Sequence, residues 1–149
     1  MLKISKMADY ATVLMVYCAE HAGQSWSASE IALKTQLKMP TVSKLLKKLL
    51  KVGLLTSMRG VQGGYQLARA PERISIAAII SAIDGPIAVT ECNQREKHCE
   101  LERDCGSRSG WLLINQAVES ALNKVYLIDM LAVPTSSVIH LNLKSSSSL

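Results

Sequence analysis

With 149 residues, 48% of them apolar and 19% charged, the chain is long enough for one domain with a substantial core and too apolar for a disordered one. It has no phenylalanine, two tryptophans and four tyrosines, so aliphatic side chains must fill that core, which favours close helix packing. No apolar run approaches the roughly 18 residues that span a bilayer, and Met1–Lys6 shows no signal-peptide pattern. A cytoplasmic protein without a membrane partner is expected, and there four cysteines read as metal ligands or redox thiols rather than disulfides. The net charge of +5 is unevenly spread: residues 1–70 hold ten Lys and Arg against three Asp and Glu, and the remainder is slightly acidic. A basic N-terminal half is the electrostatic footprint of a nucleic-acid surface.

Met7, Tyr10, Ala11, Leu14, Cys18 and His21 recur at three- and four-residue spacing and predict a first helix over Lys6–His21, ended by Gly23. Ser27 followed by Glu30 three residues later is a capping box and starts a second helix that fades near Gln36. After Leu37-Lys38-Met39, Pro40 suits the first turn of a third helix running to Val52, with Gly53 as its cap. The short connection makes the last two a helix-turn-helix. Leu54–Met58 and Tyr65–Ala68 then read as two strands joined by the glycine-rich turn Arg59–Gly64, a β-hairpin. Helix-turn-helix followed by a hairpin is the order of a winged helix, so the fold expected is mainly α, with a two-stranded wing.

Beyond a break at Pro71–Arg73, Ser75 caps a fourth helix through Ile79, Ile80 and Ile83 to Gly85-Pro86. Residues 86–110 read as a polar loop with at most one helical turn. Trp111 to about Tyr126 is a strong helix on which Trp111, Val118 and Val125, and likewise Ile114, Ala121 and Ile128, recur every seven residues. That double heptad suits packing along a partner helix, a two-fold dimer interface. Residues 132–149 end in serines and read as a flexible tail.

The candidate DNA-contacting residues follow from this order. Lys38, Pro40, Thr41, Ser43, Lys44, Lys47 and Lys48 lie on or beside the third helix, whose first turn offers short polar and cationic groups to base edges and phosphates. At the hairpin tip, Arg59 suits a narrow minor groove, and Gly60 and Gly63 let backbone approach closely. Cys92, Cys99 and Cys105 form a Cys-x6-Cys-x5-Cys loop. Zinc sites usually contain a tighter Cys pair, whereas three widely spaced thiolates can wrap an iron–sulfur cluster. A direct thiol switch stays open beside it. Cys18, on the apolar face of the first helix, reads as a small buried hydrophobe. A phosphate loop, a metalloprotease helix motif and a nucleophile elbow are all missing, so an enzyme is not expected; a small iron–sulfur electron carrier is the rival from another class.

The wing Arg59-Gly60-Val61-Gln62-Gly63-Gly64-Tyr65, the segment Ile79-Ile80-Ser81-Ala82-Ile83 and the three-cysteine loop together resemble the Rrf2 family of winged-helix transcription regulators, over roughly residues 1–131. Within it they look most like the IscR and NsrR group, and especially members controlling iron–sulfur assembly genes. The resemblance implies a homodimer on a roughly palindromic promoter site in double-stranded DNA. It implies Cys92, Cys99 and Cys105 as ligands of a [2Fe–2S] or [4Fe–4S] cluster, with Thr41, Ser43 and Lys44 at the major groove and Arg59 in the minor groove. Where some relatives carry a fourth, histidine ligand this chain has Arg108, whose guanidinium has no lone pair to give. In others the fourth ligand is a carboxylate from the partner's first helix, a motif that Met7-Ala8-Asp9-Tyr10 matches, which points to Asp9. The expected organisation is a DNA-binding domain at 1–70, a cluster-binding loop with dimerisation helices at 71–131, and the tail at 132–149.

Overall fold

The computed structural model describes residues 3–94 and 105–131. Its first helix, α1 (Lys6–Glu20), starts where the Ser5 hydroxyl accepts the Ala8 amide, and it buries Ala8, Ala11, Leu14, Met15 and Cys18 along one face. α2 (Ala28–Thr35) opens with the reciprocal cap read from the sequence. Glu30 N–H donates to Ser27 Oγ at 3.2 Å and Ser27 N–H to Glu30 Oε2 at 2.8 Å. The Ser27 side-chain and backbone hydrogen bonds hold the Glu30 carboxyl below its ordinary pKa. Gln36, left-handed at φ +58°, ends that helix. α3 (Met39–Lys51) follows with Pro40 in its first turn and buries Val42, Leu45, Leu46 and Leu49.

β1 (Leu55–Met58) and β2 (Gly64–Leu67) pair antiparallel, Leu55 opposite Leu67 and Met58 opposite Gly64. A third piece of backbone completes this wing: Trp26 and Tyr65 exchange N–H···O bonds at 3.0 and 2.8 Å. The approach is close enough that a Cβ on Gly64 would lie 2.6 Å from the Trp26 backbone. The hairpin is thus tied to the loop before α2 and takes a fixed direction.

The C-terminal half departs from expectation in two places. After a 3-10 turn at Pro71–Arg73, α4 (Ile76–Asp84) is capped by Ser75 as read, and a second 3-10 turn at Glu91–Asn93 carries Cys92. The following helix, α5 (Arg108–Asn123), starts three residues earlier than Trp111 and stops three before Tyr126. The cause of the early stop is tertiary. Ile76 N–H donates to the Val125 carbonyl at 2.9 Å and Leu127 N–H to the Ile74 carbonyl at 2.8 Å. This short antiparallel pairing pulls the chain out of the helix and sends Leu127 into the core. A final short helix, α6 (Leu127–Leu131), packs beside α1. Val125, expected on the helix seam, instead lies beyond it, half-buried against the core.

Leu14, Leu45, Leu49, Ile74, Ile79 and Leu127 share one buried cluster, each contributing about 1.5–3 kcal/mol by burial. Residues from both sides of position 70 thus contribute to the same cluster. No helix among the described residues is long and apolar enough to cross a membrane.

Candidate functional site: recognition helix, wing and cysteine arm

The apolar residues of α3 recur at three- and four-residue spacing and face the core, so its polar residues are forced outward. Pro40, Lys44, Lys47 and Lys51 are exposed, Ser43 is half-covered beside them, and Lys38 stands exposed at the N-terminal end. Thr41 is half-buried at the margin of this face. Lys48 differs: it is half-buried, and its ammonium donates to the Ile83 carbonyl in the last turn of α4. The structure thus brings the expected lysines together on one face, with Lys48 turned toward the fold.

The wing tip presents Arg59 and a fully exposed Val61. Gly63 N–H donates to the Gly60 carbonyl at 2.9 Å, closing the turn, with Gly60 at φ +115°. A Cβ on Gly63 would meet the Met58 carbonyl oxygen at 2.4 Å, so the tight tip depends on glycine there. Both predicted glycines serve the shape of the turn that carries Arg59.

The segment leading from α4 to the cysteines is held against α5 by two asparagines that sequence reading did not single out. Asn115 accepts the Val89 amide at 2.8 Å and donates its own Nδ2 to the Ile87 carbonyl at 3.1 Å. Asn93 donates to the Trp111 carbonyl at 3.2 Å and to Thr90 Oγ1 at 3.1 Å. The signal for Asn115 was a lone amide on the stripe Trp111, Val118, Leu122, where a polar residue at helical spacing marks a partner across the packing. Cys92 Sγ lies 3.0 Å from Thr90 Oγ1, and the Cys105 carbonyl accepts the Arg108 amide at 3.3 Å. Both thiols are half-buried and both are referenced to the first two turns of α5. Cys99, together with its sequence neighbours Arg95, Lys97, His98 and Arg103, lies outside the described residues. Among the described residues, no group of three metal-ligating side chains occurs. Cys18 is buried, and that burial pushes its thiol up to about 12. It is chemically separated from the loop thiols.

Asp9 is exposed on the first turn of α1. It borders a cleft of about 840 Å³ whose other walls include Ile76 and Ile80 of α4 and Leu122 of α5. Val118 and Leu122 are half-buried toward an adjoining cavity of about 290 Å³. The double heptad is thereby split. Trp111, at the edge, and Val118 lie on the side of α5 that meets its own fold, while Leu113, Ile114, Ala117 and Ala121 form an exposed, mostly apolar stripe on another side.

Residues 4–133 match the Rrf2 family profile, described as an iron-dependent transcriptional regulator. The chain is 28% identical over 131 residues to the HTH-type transcriptional regulator IscR of Aliivibrio salmonicida, covering 87% of this chain and 77% of that one. Among solved structures it is similar to CymR, the global cysteine regulator of B. subtilis, with 31% identity and a TM-score of 0.69 over 87% of this chain and 96% of that one. It is also similar to T. potens IscR, with 30% identity and a TM-score of 0.68 over 92% and 93%. These relatives are winged-helix transcription regulators, not enzymes, and the helix-turn-helix, wing and basic face described above are what such a DNA-binding protein requires. The chain belongs to the Rrf2 family of transcriptional regulators.

Proposed function

We propose that this regulator binds a roughly palindromic promoter site as a homodimer, in the cytoplasm, and that its DNA affinity is set by an iron–sulfur cluster held on Cys92, Cys99 and Cys105. By the IscR-like resemblance its targets are iron–sulfur assembly genes. The observation that carries the reading is the anchoring of Cys92 and Cys105 to one end of α5, by Asn93, Asn115 and the first helical turn. That arrangement holds two half-buried thiols on either side of the segment that carries the third in sequence. The donor set fits the group: thiolates suit iron–sulfur clusters, Cys92 carries a hydroxyl neighbour of the kind that tunes a ligating sulfur, and the remaining cysteine is buried away. When bound, such a group supplies one-electron chemistry and sensitivity to oxidants.

The protein's own residues do the rest. Ser43, Lys44 and Lys47, with Lys38, Pro40 and Thr41 beside them, enter the major groove; Arg59, carried by Gly60 and Gly63, enters the minor groove. The exposed stripe of Leu113, Ile114, Ala117 and Ala121 pairs across a two-fold axis, and the partner subunit's Asp9 offers the fourth ligand to the cysteine arm. The exposure of Asp9 at the mouth of a wide cleft leaves its carboxylate accessible for that role.

The test is an absorption spectrum with iron and sulfide counts on anaerobically purified protein, alongside DNA titrations at several salt concentrations. Charge-transfer bands that vanish in each single Cys→Ala variant of the loop, with steeply salt-dependent binding, are the expected result. An iron-free protein whose affinity follows thiol oxidation selects the thiol switch instead. Asp9→Ala should leave a folded dimer with a labile cluster; an unchanged spectrum and air stability removes Asp9 from the ligand set.

A further inference from the structure

Lys48 is on the recognition helix, yet Lys38, Lys44, Lys47 and Lys51 are exposed where Lys48 is half-buried. Its Nζ donates to the Ile83 carbonyl of α4. The last four carbonyls of a helix have no partner within it, and a cation is favoured at that negative end of the helix dipole. Lys48 thus caps α4 from another helix.

The next residues are tied as well. Asp84 Oδ1 accepts the Ser5 hydroxyl at 2.8 Å, the same hydroxyl that caps α1 through the Ala8 amide at 3.0 Å. Gly85, at φ +87°, then turns the chain into the cysteine arm. Ile87 and Val89 are clamped to α5 by Asn115. Between Ile83 and Val89 the backbone and its side chains are thus fastened to the recognition helix, to the start of α1 and to α5. A change in how the arm sits on α5 loads a junction whose other fastenings are Lys48 and Ser5.

We propose that Lys48 is a positioning residue that transmits the state of the cysteine arm to the recognition helix through the Ile83 carbonyl, rather than a phosphate contact. This rests on the reading in which the arm governs DNA affinity. Packed elements shift between discrete arrangements rather than deforming smoothly, so a fastened junction carries displacement where a solvated lysine would not.

The experiment is a double-mutant cycle on a duplex selected from a random-sequence pool by the wild-type protein, with every variant titrated over the same series of salt concentrations. It compares wild type, Cys92→Ala, Lys48→Met and the double variant, with Lys48→Arg as the conservative rescue. The expected result is a wild-type to Cys92→Ala affinity ratio of about 5- to 150-fold, the range of ordinary allosteric coupling. That ratio should fall below about twofold in the Lys48→Met background and be restored by Lys48→Arg, with the salt slope unchanged. Equal weakening in both backgrounds, with the salt slope reduced by about one, overturns the inference and makes Lys48 a phosphate contact. A ratio that survives Lys48→Met overturns the inference alone. No difference between wild type and Cys92→Ala overturns the reading of the arm and the inference with it. If Lys48→Met does not fold, Lys48→Ala, which has no side-chain donor, gives the same comparison.

Discussion

Asn93 donates its side-chain amide to the Trp111 carbonyl at 3.2 Å, so the turn carrying Cys92 is bonded to the helix that begins just after Cys105. Together with Asn115, it makes α5 the reference frame for the cysteine arm.

Asn115→Ala removes both bonds to the arm and leaves the Val89 amide and the Ile87 carbonyl without their partners. The expected cost is about 1–3 kcal/mol. Hydrogen exchange at Ile87–Asn93 should accelerate strongly, while α1 and α3 keep their protection. Equal exchange in variant and wild type would mean that the arm is held by other contacts.

Arg59→Ala deletes the cation at the wing tip and leaves the glycine turn intact. Specific DNA affinity should drop by roughly 5- to 150-fold, about 1–3 kcal/mol, as for one good groove contact. Iron content and sedimentation should not change. Unaltered affinity at the same salt concentration takes the wing tip out of the interface.

The two sides of α5 predict different failures. Ile114 is 45% exposed, so Ile114→Glu should leave a monomer with near-native melting and poor DNA binding, because paired half-sites are lost. Val118 lines a cavity together with Ile80 and Leu122, so Val118→Glu should lower the melting temperature first. Sedimentation velocity and thermal unfolding on both variants check this. An Ile114→Glu protein that remains dimeric places the interface elsewhere.

Burial raises the Cys18 thiol to about 12, against about 8.5 for an unhindered cysteine. The folded state favours the neutral thiol, so its contribution to stability is intact below about pH 8.5 and declines as pH rises from there toward 12. At pH 8, in metal-free protein, an alkylating reagent should modify Cys92 and Cys105 quickly and Cys18 only after denaturation. Peptide mass mapping before and after denaturant reads the result directly, and rapid native labelling of Cys18 would contradict its burial.

Residue pattern alone determined much of this protein. The Ser27–Glu30 cap, Pro40 at the start of α3, the glycine turn after Arg59 and the Ser75 cap all depend on interactions within a few residues. Local chemistry of that kind is written in local sequence. The cysteine spacing and the basic face were legible for the same reason, and the family resemblance rested on them.

Tertiary structure decided the rest. The heptad through Trp111, Val118 and Val125 was real as a pattern, but one apolar stripe cannot say whether it meets its own fold or another chain. Val118 is half-buried beside a cavity that Ile80 of α4 also lines, and the pairing of Val125 and Leu127 with Ile76 and Ile74 broke the helix at Asn123. Lys48 reads like its neighbouring lysines, because the helix period separates exposed from buried positions and leaves a marginal residue ambiguous. Only the arrival of the α4 carboxyl end, 35 residues later in the chain, turned that ammonium from solvent to the Ile83 carbonyl.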